Sequence, residues 1–144
     1  MIAVESNILV YSHLPESPWF GIASKTIDDL WFGPDLWAIP WPCIHEFLSV
    51  ATNPRIYNPS APLSVAMAQV EEWLRSPSLR LLGEGPGYFE RLAAVSAEGR
   101  VVGPRVHDAR IAALCLYHGV SELLSADRDF ARFPSLKTRN PLVG

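Results

Sequence analysis

The sequence predicts an α/β/α sandwich, a central parallel sheet with helices on both faces. Short β-capable runs at 2–4, 36–40, 79–83 and 120–126 alternate with stretches of helical periodicity. Strands separated by helices pair in parallel through crossover connections. Isolated acids also recur at or near the ends of these runs, Glu5 after the first and Asp127 after the fourth. In such sheets the functional crevice lies outside the carboxyl ends of the strands, where strand order reverses.

The elements follow in order. Ile2 to Val4 is a strand, and Ser6 or Asn7 is expected to cap the helix that continues through Ile8, Leu9, Val10 and Tyr11. Pro15 and Pro18 break the chain before a helix at about 19–30, and FGPD turns it into the strand LWAIP. Pro42 suits the first turn of the next helix, where Ile44, Phe47, Leu48 and Ala51 share one face. After the loop NPRIYNPSAP, a helix over 63–75 presents Met67, Val70 and Leu74 on one side, and Pro77 closes it. LRLLG is the third strand and YFERLAAVSAEG a helix that stops at glycine. GPRV leads into a helix whose apolar face is Ile111, Leu114, Cys115 and His118, with Gly119 as its stop. VSELLSA is the fourth strand, DFARF a helical turn, and LKTRNPLV an edge strand.

With 144 residues, residues 1–144 are expected to form a single domain, burying roughly two-thirds of the unfolded surface around one core. The first fourteen residues carry Glu5, lack a basic leader and are too short to span a bilayer. No membrane association and a cytoplasmic location are therefore expected. Cys43 and Cys115 form no CxxC pair, so two buried free thiols are expected instead of a zinc site. A net charge of −3 argues against nucleic-acid binding by bulk electrostatics. The basic residues cluster late, as Arg105, Arg110, Arg128, Arg132, Lys137 and Arg139. Trp19, Trp31, Trp37, Trp41 and Trp73 are expected to pack. No P-loop, GxGxxG or GxSxG occurs, which excludes the common nucleotide, dinucleotide and esterase chemistries.

Glu46 and Asp108 belong to helices that begin near the rim holding Glu5 and Asp127, so the four can converge. Neighbouring carboxylates oppose one another's ionisation unless a shared cation relieves them. Magnesium or manganese supplies that charge through oxygen ligands, a site suited to phosphodiester hydrolysis by activated water. Each acid also has an ordinary role: Glu46 as a solvated helix acid, Asp108 as a first-turn acid, Asp127 and Asp129 in Asx-type turns. His45, His107 and His118 have no serine or cysteine partner and remain unassigned.

Together MIAVESNILVY, HEFLSVATNPRIY, VHDARIAALCLYHG and LLSADRDFARF resemble the PIN-domain ribonucleases of the VapC toxin family. The family's motifs run in this order: Asp-Thr-Asn after strand one, Glu after strand two, Asp opening a late helix, and Thr-x-Asp-x-Asp-Phe after strand four. The resemblance implies an acidic quartet of Glu5, Glu46, Asp108 and Asp127, with Glu5, Asp108 and Asp127 holding Mg²⁺ or Mn²⁺. Asp129 is an auxiliary acid, Ser6 and Asn7 order the first carboxylate, and Ser125 stands in the threonine's place. A structured RNA such as tRNA or rRNA is the implied substrate, with Arg110, Arg128 and Arg132 on its backbone. A homodimer and a VapB-like antitoxin are implied partners.

The departure is Glu5, one methylene longer than the family's aspartate. Metal binding is expected to survive in part while turnover falls, since small misplacements cost rate steeply. A non-catalytic PIN-like module for antitoxin or RNA is the alternative. A phosphoacceptor domain would need a lysine near the acids, and Lys25 and Lys137 are the only two.

Overall fold

A computed structural model describes all 144 residues, Met1–Gly144. Five strands form one sheet in the order β3-β2-β1-β4-β5, with every neighbouring pair parallel. They are β1 (Ile2–Val4), β2 (Trp37–Pro40), β3 (Leu79–Leu82), β4 (Glu122–Leu124) and β5 (Thr138–Arg139). The helices are α1 (Ser6–His13), α2 (Phe20–Phe32), α3 (Trp41–Ala51), α4 (Leu63–Leu74), α5 (Tyr88–Glu98) and α6 (Val106–Tyr117). Two 3₁₀ turns, Gly103–Arg105 and Arg128–Arg132, lead into α6 and follow β4. The expected α/β/α sandwich is the observed fold.

Strand order reverses beside β1, which pairs with β2 on one side and β4 on the other. That places the crevice between the carboxyl ends of β1 and β4. Three strands of this core are almost fully buried, from Ala3 and Val4 through Trp37 to Ile39 and on to Leu123 and Leu124. The helices form two packed groups: α1 lies against α2 and α3, α3 against α4, and α5 against α6. Trp37 can be buried because its indole N–H donates to Ser76 Oγ at 3.0 Å.

Three packing expectations change. The inward face of α4 is Ala66, Val70 and Trp73, while Met67 and Leu74 face outward. Trp73 sets this rotation, because its ring stacks edge-on against buried Phe47 at 4.7 Å and carries more apolar area than either alternative. His118 is exposed beyond the end of α6, with Nε2 2.8 Å from the Gly83 carbonyl oxygen. Trp19 and Trp41 are 42% and 40% exposed, so only part of the tryptophan set packs in the core.

The end of α5 shows why glycine occurs there. The left-handed residue is Arg100, at φ 49°, whereas Gly99 is right-handed at φ −81°. Val101 N–H closes the cap on the Ser96 carbonyl at 3.1 Å. A Cβ on Gly99 would lie 2.4 Å from Phe133 Cε1. Phe133 and Phe130 are fully buried and pin the segment that follows β4. Gly99→Ala is therefore expected to destabilise the protein by about 1–3 kcal/mol, the usual cost of overpacking a tight core. Urea unfolding measures it, and an unchanged midpoint would contradict this account.

Candidate active site

The site begins where β1 ends. Val4 is paired with Leu124, and the Glu5 N–H continues the ladder by donating to the Leu124 carbonyl at 3.0 Å. The chain then turns into α1, and Glu5 itself is the N-cap. Its Oε2 accepts from the Asn7 N–H at 3.0 Å, and its Oε1 accepts from Ser6 Oγ at 2.9 Å. The cap expected of Ser6 or Asn7 is thus supplied by the residue before them, whose carboxylate folds back onto the helix start. Glu5 is only 5% exposed. Burial raises its pKa to about 7, opposed by the bonds from Asn7 and Ser6 and reinforced by the charges of Glu46 and Asp127. The thiols of Cys43 and Cys115, both buried and unpaired, lie close enough to feel Glu5. Burial first, then that charge, pushes both upward, Cys115 to about 12.

Asn7 joins this corner to the loop beyond β4. Its amide nitrogen donates to Ser125 Oγ at 3.3 Å, and its Oδ1 accepts from the Ala126 N–H at 3.3 Å. Ser125 Oγ also accepts from the Asp127 N–H at 2.9 Å. Asp127 in turn caps the following 3₁₀ turn, its Oδ1 accepting from the Asp129 N–H at 2.8 Å. The Asx-type turn and the acidic site therefore coexist in the same residues.

Asp108, in the first turn of α6, completes the cluster. Asp108, Asp127 and Asp129 each offer an oxygen, and these atoms lie within 4.8 Å of one another. Burial raises the Asp108 pKa, with Asp127 adding to it and Arg105 opposing. The set is all carboxylate oxygen, which fits a hard divalent cation. Glu5, expected beside Asp108 and Asp127 as a ligand, has its carboxylate engaged at the α1 N-terminus and within reach of the Asp127 charge. Glu46 is exposed midway along α3, near enough for its charge to raise Glu5.

Arg105 is the site residue that sequence reasoning overlooked. It forms a salt bridge with Asp129, and its guanidinium is 3.6 Å from Asp108. Its spacing of three residues before Asp108, across the start of α6, is the signal that could have found it. Of the other arginines, Arg110 is paired with Glu84 at 2.8 Å, while Arg128 and Arg132 are exposed.

The fold and this acid-lined crevice place the chain in a known class. The PIN domain model matches residues 2–136, and the chain belongs to that family. Within it the relatives are ribonucleases of the VapC type. Ribonuclease VapC48 of Mycobacterium tuberculosis is 29% identical over 138 residues, 96% of this chain and 95% of its own length. Ribonuclease VapC33 of the same organism is 30% identical over 142 residues, 99% of each. Among solved structures, VapBC2 from Rickettsia felis, bound to a promoter DNA fragment, has a TM-score of 0.70 at 16% identity, covering 97% of this chain and 98% of the other. Mycobacterium tuberculosis VapC20, described as a sarcin-ricin loop cleaving toxin, has a TM-score of 0.67 at 15% identity, covering 91% and 93%. No helix is long and apolar enough to cross a membrane.

Two outcomes follow from these charges. The raised pKa of Glu5 favours its neutral form in the folded state, so the stability it contributes is lost as pH climbs from the ordinary 4.5 through about 7. In EDTA, the unfolding free energy should fall between pH 4 and 8, by roughly 3 kcal/mol from this group, and Asp108 acts in the same direction. Glu5→Gln should flatten the profile and gain stability at pH 8; a parallel profile would refute the assignment. Arg105 holds two of the three acids and competes with any cation there. Calorimetric titration of Arg105→Ala should show Mn²⁺ binding about two- to fivefold tighter, the scale of a partly exposed ion pair. Weaker binding would make Arg105 a support of the site.

Proposed function

We propose that the chain, residues 1–144 acting as one unit, is a metal-dependent endoribonuclease toxin that cleaves a structured RNA such as tRNA or rRNA. The observation that carries this reading is the meeting of Asp108, Asp127 and Asp129 at the carboxyl end of the sheet. VapC48 and VapC33 are named ribonucleases, and they match nearly the whole chain. Asp108, Asp127 and Asp129 would hold Mg²⁺ or Mn²⁺. When bound, such a cation lowers the pKa of a water and screens the charge that builds on phosphate and leaving oxygen.

The chain's own residues do the rest. Asn7 and Ser125 fix the loop that carries Asp127, and Ser6 with the Asn7 N–H fixes Glu5. Glu5 and Glu46 extend the acidic row behind the trio and strengthen its demand for a cation. Arg128 and Arg132, both exposed, would contact phosphates, while Arg110 would first have to leave Glu84. The VapBC2 assembly supports a VapB-like antitoxin as partner, and a homodimer working in the cytoplasm completes the proposal.

The non-catalytic alternative draws support from one observation: the Glu5 carboxylate is engaged as a helix cap by the Asn7 N–H and the Ser6 hydroxyl. Purified protein incubated with total RNA decides between them. Cleavage is expected with Mg²⁺ or Mn²⁺, and both EDTA and Asp108→Asn should abolish it. Glu5→Asp, with the shorter side chain, should cleave faster, by up to about a hundredfold if carboxylate position is the limit. Cleavage indifferent to EDTA and Asp108→Asn would point to another mechanism; no cleavage by any form would favour the binding module.

A further inference from the structure

A cleft of about 160 Å³ opens beside the acids, lined by Val10, Tyr11, Val50 and Tyr57, with Asn7 and Glu46 at its polar side. The Tyr11 ring is backed by Trp19 at 4.9 Å. Glu46 is exposed and free of the arginine and lysine pairs that engage Glu72, Glu84 and Glu122. A second cleft of about 440 Å³ lies across the acids, lined by Ser125, Asp127, Arg128, Arg139 and Asn140 among others. Asn7 borders the first cleft and Ser125 the second, and a 3.3 Å hydrogen bond joins these two side chains. Arg139 is engaged by Glu122 at 3.1 Å, which leaves Arg128 as the unpaired cation of the second cleft. A single RNA strand offers the matching pair, a flat base and a phosphate on the same backbone.

We propose that the Tyr11–Tyr57 cleft is a nucleobase subsite that takes one unstacked, amino-bearing base of an RNA strand whose phosphates run toward Arg128. The inference rests on the ribonuclease reading and adds how the substrate is gripped. Aromatic faces bind any base by stacking. Glu46 adds selectivity, because a carboxylate accepts from the exocyclic amine of adenine, cytosine or guanine. Uracil has no amine, and it turns carbonyl oxygens on either side of its N–H toward the negative charge. Val10 and Val50 add apolar contact along the wall of the slot.

Binding without catalysis tests it. Tetra-adenylate, tetra-cytidylate and tetra-uridylate are titrated in EDTA against the intact protein, with Tyr and Trp ring resonances followed by NMR. The A and C oligonucleotides should perturb Tyr11, Tyr57 and Trp19 and bind at least about fivefold more tightly than the U oligonucleotide. Tyr57→Ala should weaken both by about tenfold, the scale of one lost stacking partner, while Tyr57→Phe, which keeps the ring, should stay within about twofold. Equal affinity for all three, no change in Tyr57→Ala, or ring shifts confined to other aromatics would each overturn the subsite. These readouts need no cleavage, so a protein that cuts RNA yet fails here loses only the subsite. One that binds bases here yet never cuts loses only the nuclease reading.

Discussion

Mutual repulsion among carboxylates is the constraint around which this molecule is arranged. Glu46 and Asp127 make Glu5 costlier to ionise, and Asp127 and Asp129 do the same to Asp108. A fold seeking only stability would disperse them. Here the parallel sheet concentrates them instead, because β1 and β4 end side by side and the two 3₁₀ turns bring α6 and the Asp127–Asp129 segment to that same edge. The hydrogen bonds from Ser6, Asn7 and Ser125 and the salt bridges of Arg105 offset part of the cost. What remains is an unmet need for positive charge, which is the physical content of the site.

Glu5 shows how one residue can be both a helix cap and a member of the acidic rim. An acid at that position begins α1, so its carboxylate competes between the helix N-terminus and the crevice. The glutamate reaches back to the Asn7 N–H and Ser6 hydroxyl, and it is sealed above two apolar thiols. Its neutral form is then nearly as accessible at neutral pH as its charged one. Asp129 enters the trio from the other side, and the cluster keeps three carboxylates within ligand distance of one another.

Nearly all of the fold was legible because periodicity and punctuation agreed along the chain. Proline at the start of α3, glycine with φ 72° after α6, and the alternation of strands and helices all point to one topology. The approach of Glu5 to Asp127 could be anticipated, since both follow strands that pair. Three features were not legible. The α4 face turned on Trp73 meeting Phe47, a contact between helices that periodicity within one helix does not contain. The Glu5 cap depended on a side-chain torsion, which residue type leaves open. Arg105 looked like one more base in a basic stretch; only the close approach of the 129 turn to the start of α6 gave it a partner.

The bridge between Asn7 and Ser125 joins residues 118 apart in the chain. The crevice is thus assembled from segments far apart in sequence, and no fragment that lacks β4 contains it. Hydrolytic competence therefore cannot precede closure of the sheet, and a partly folded chain is harmless by construction.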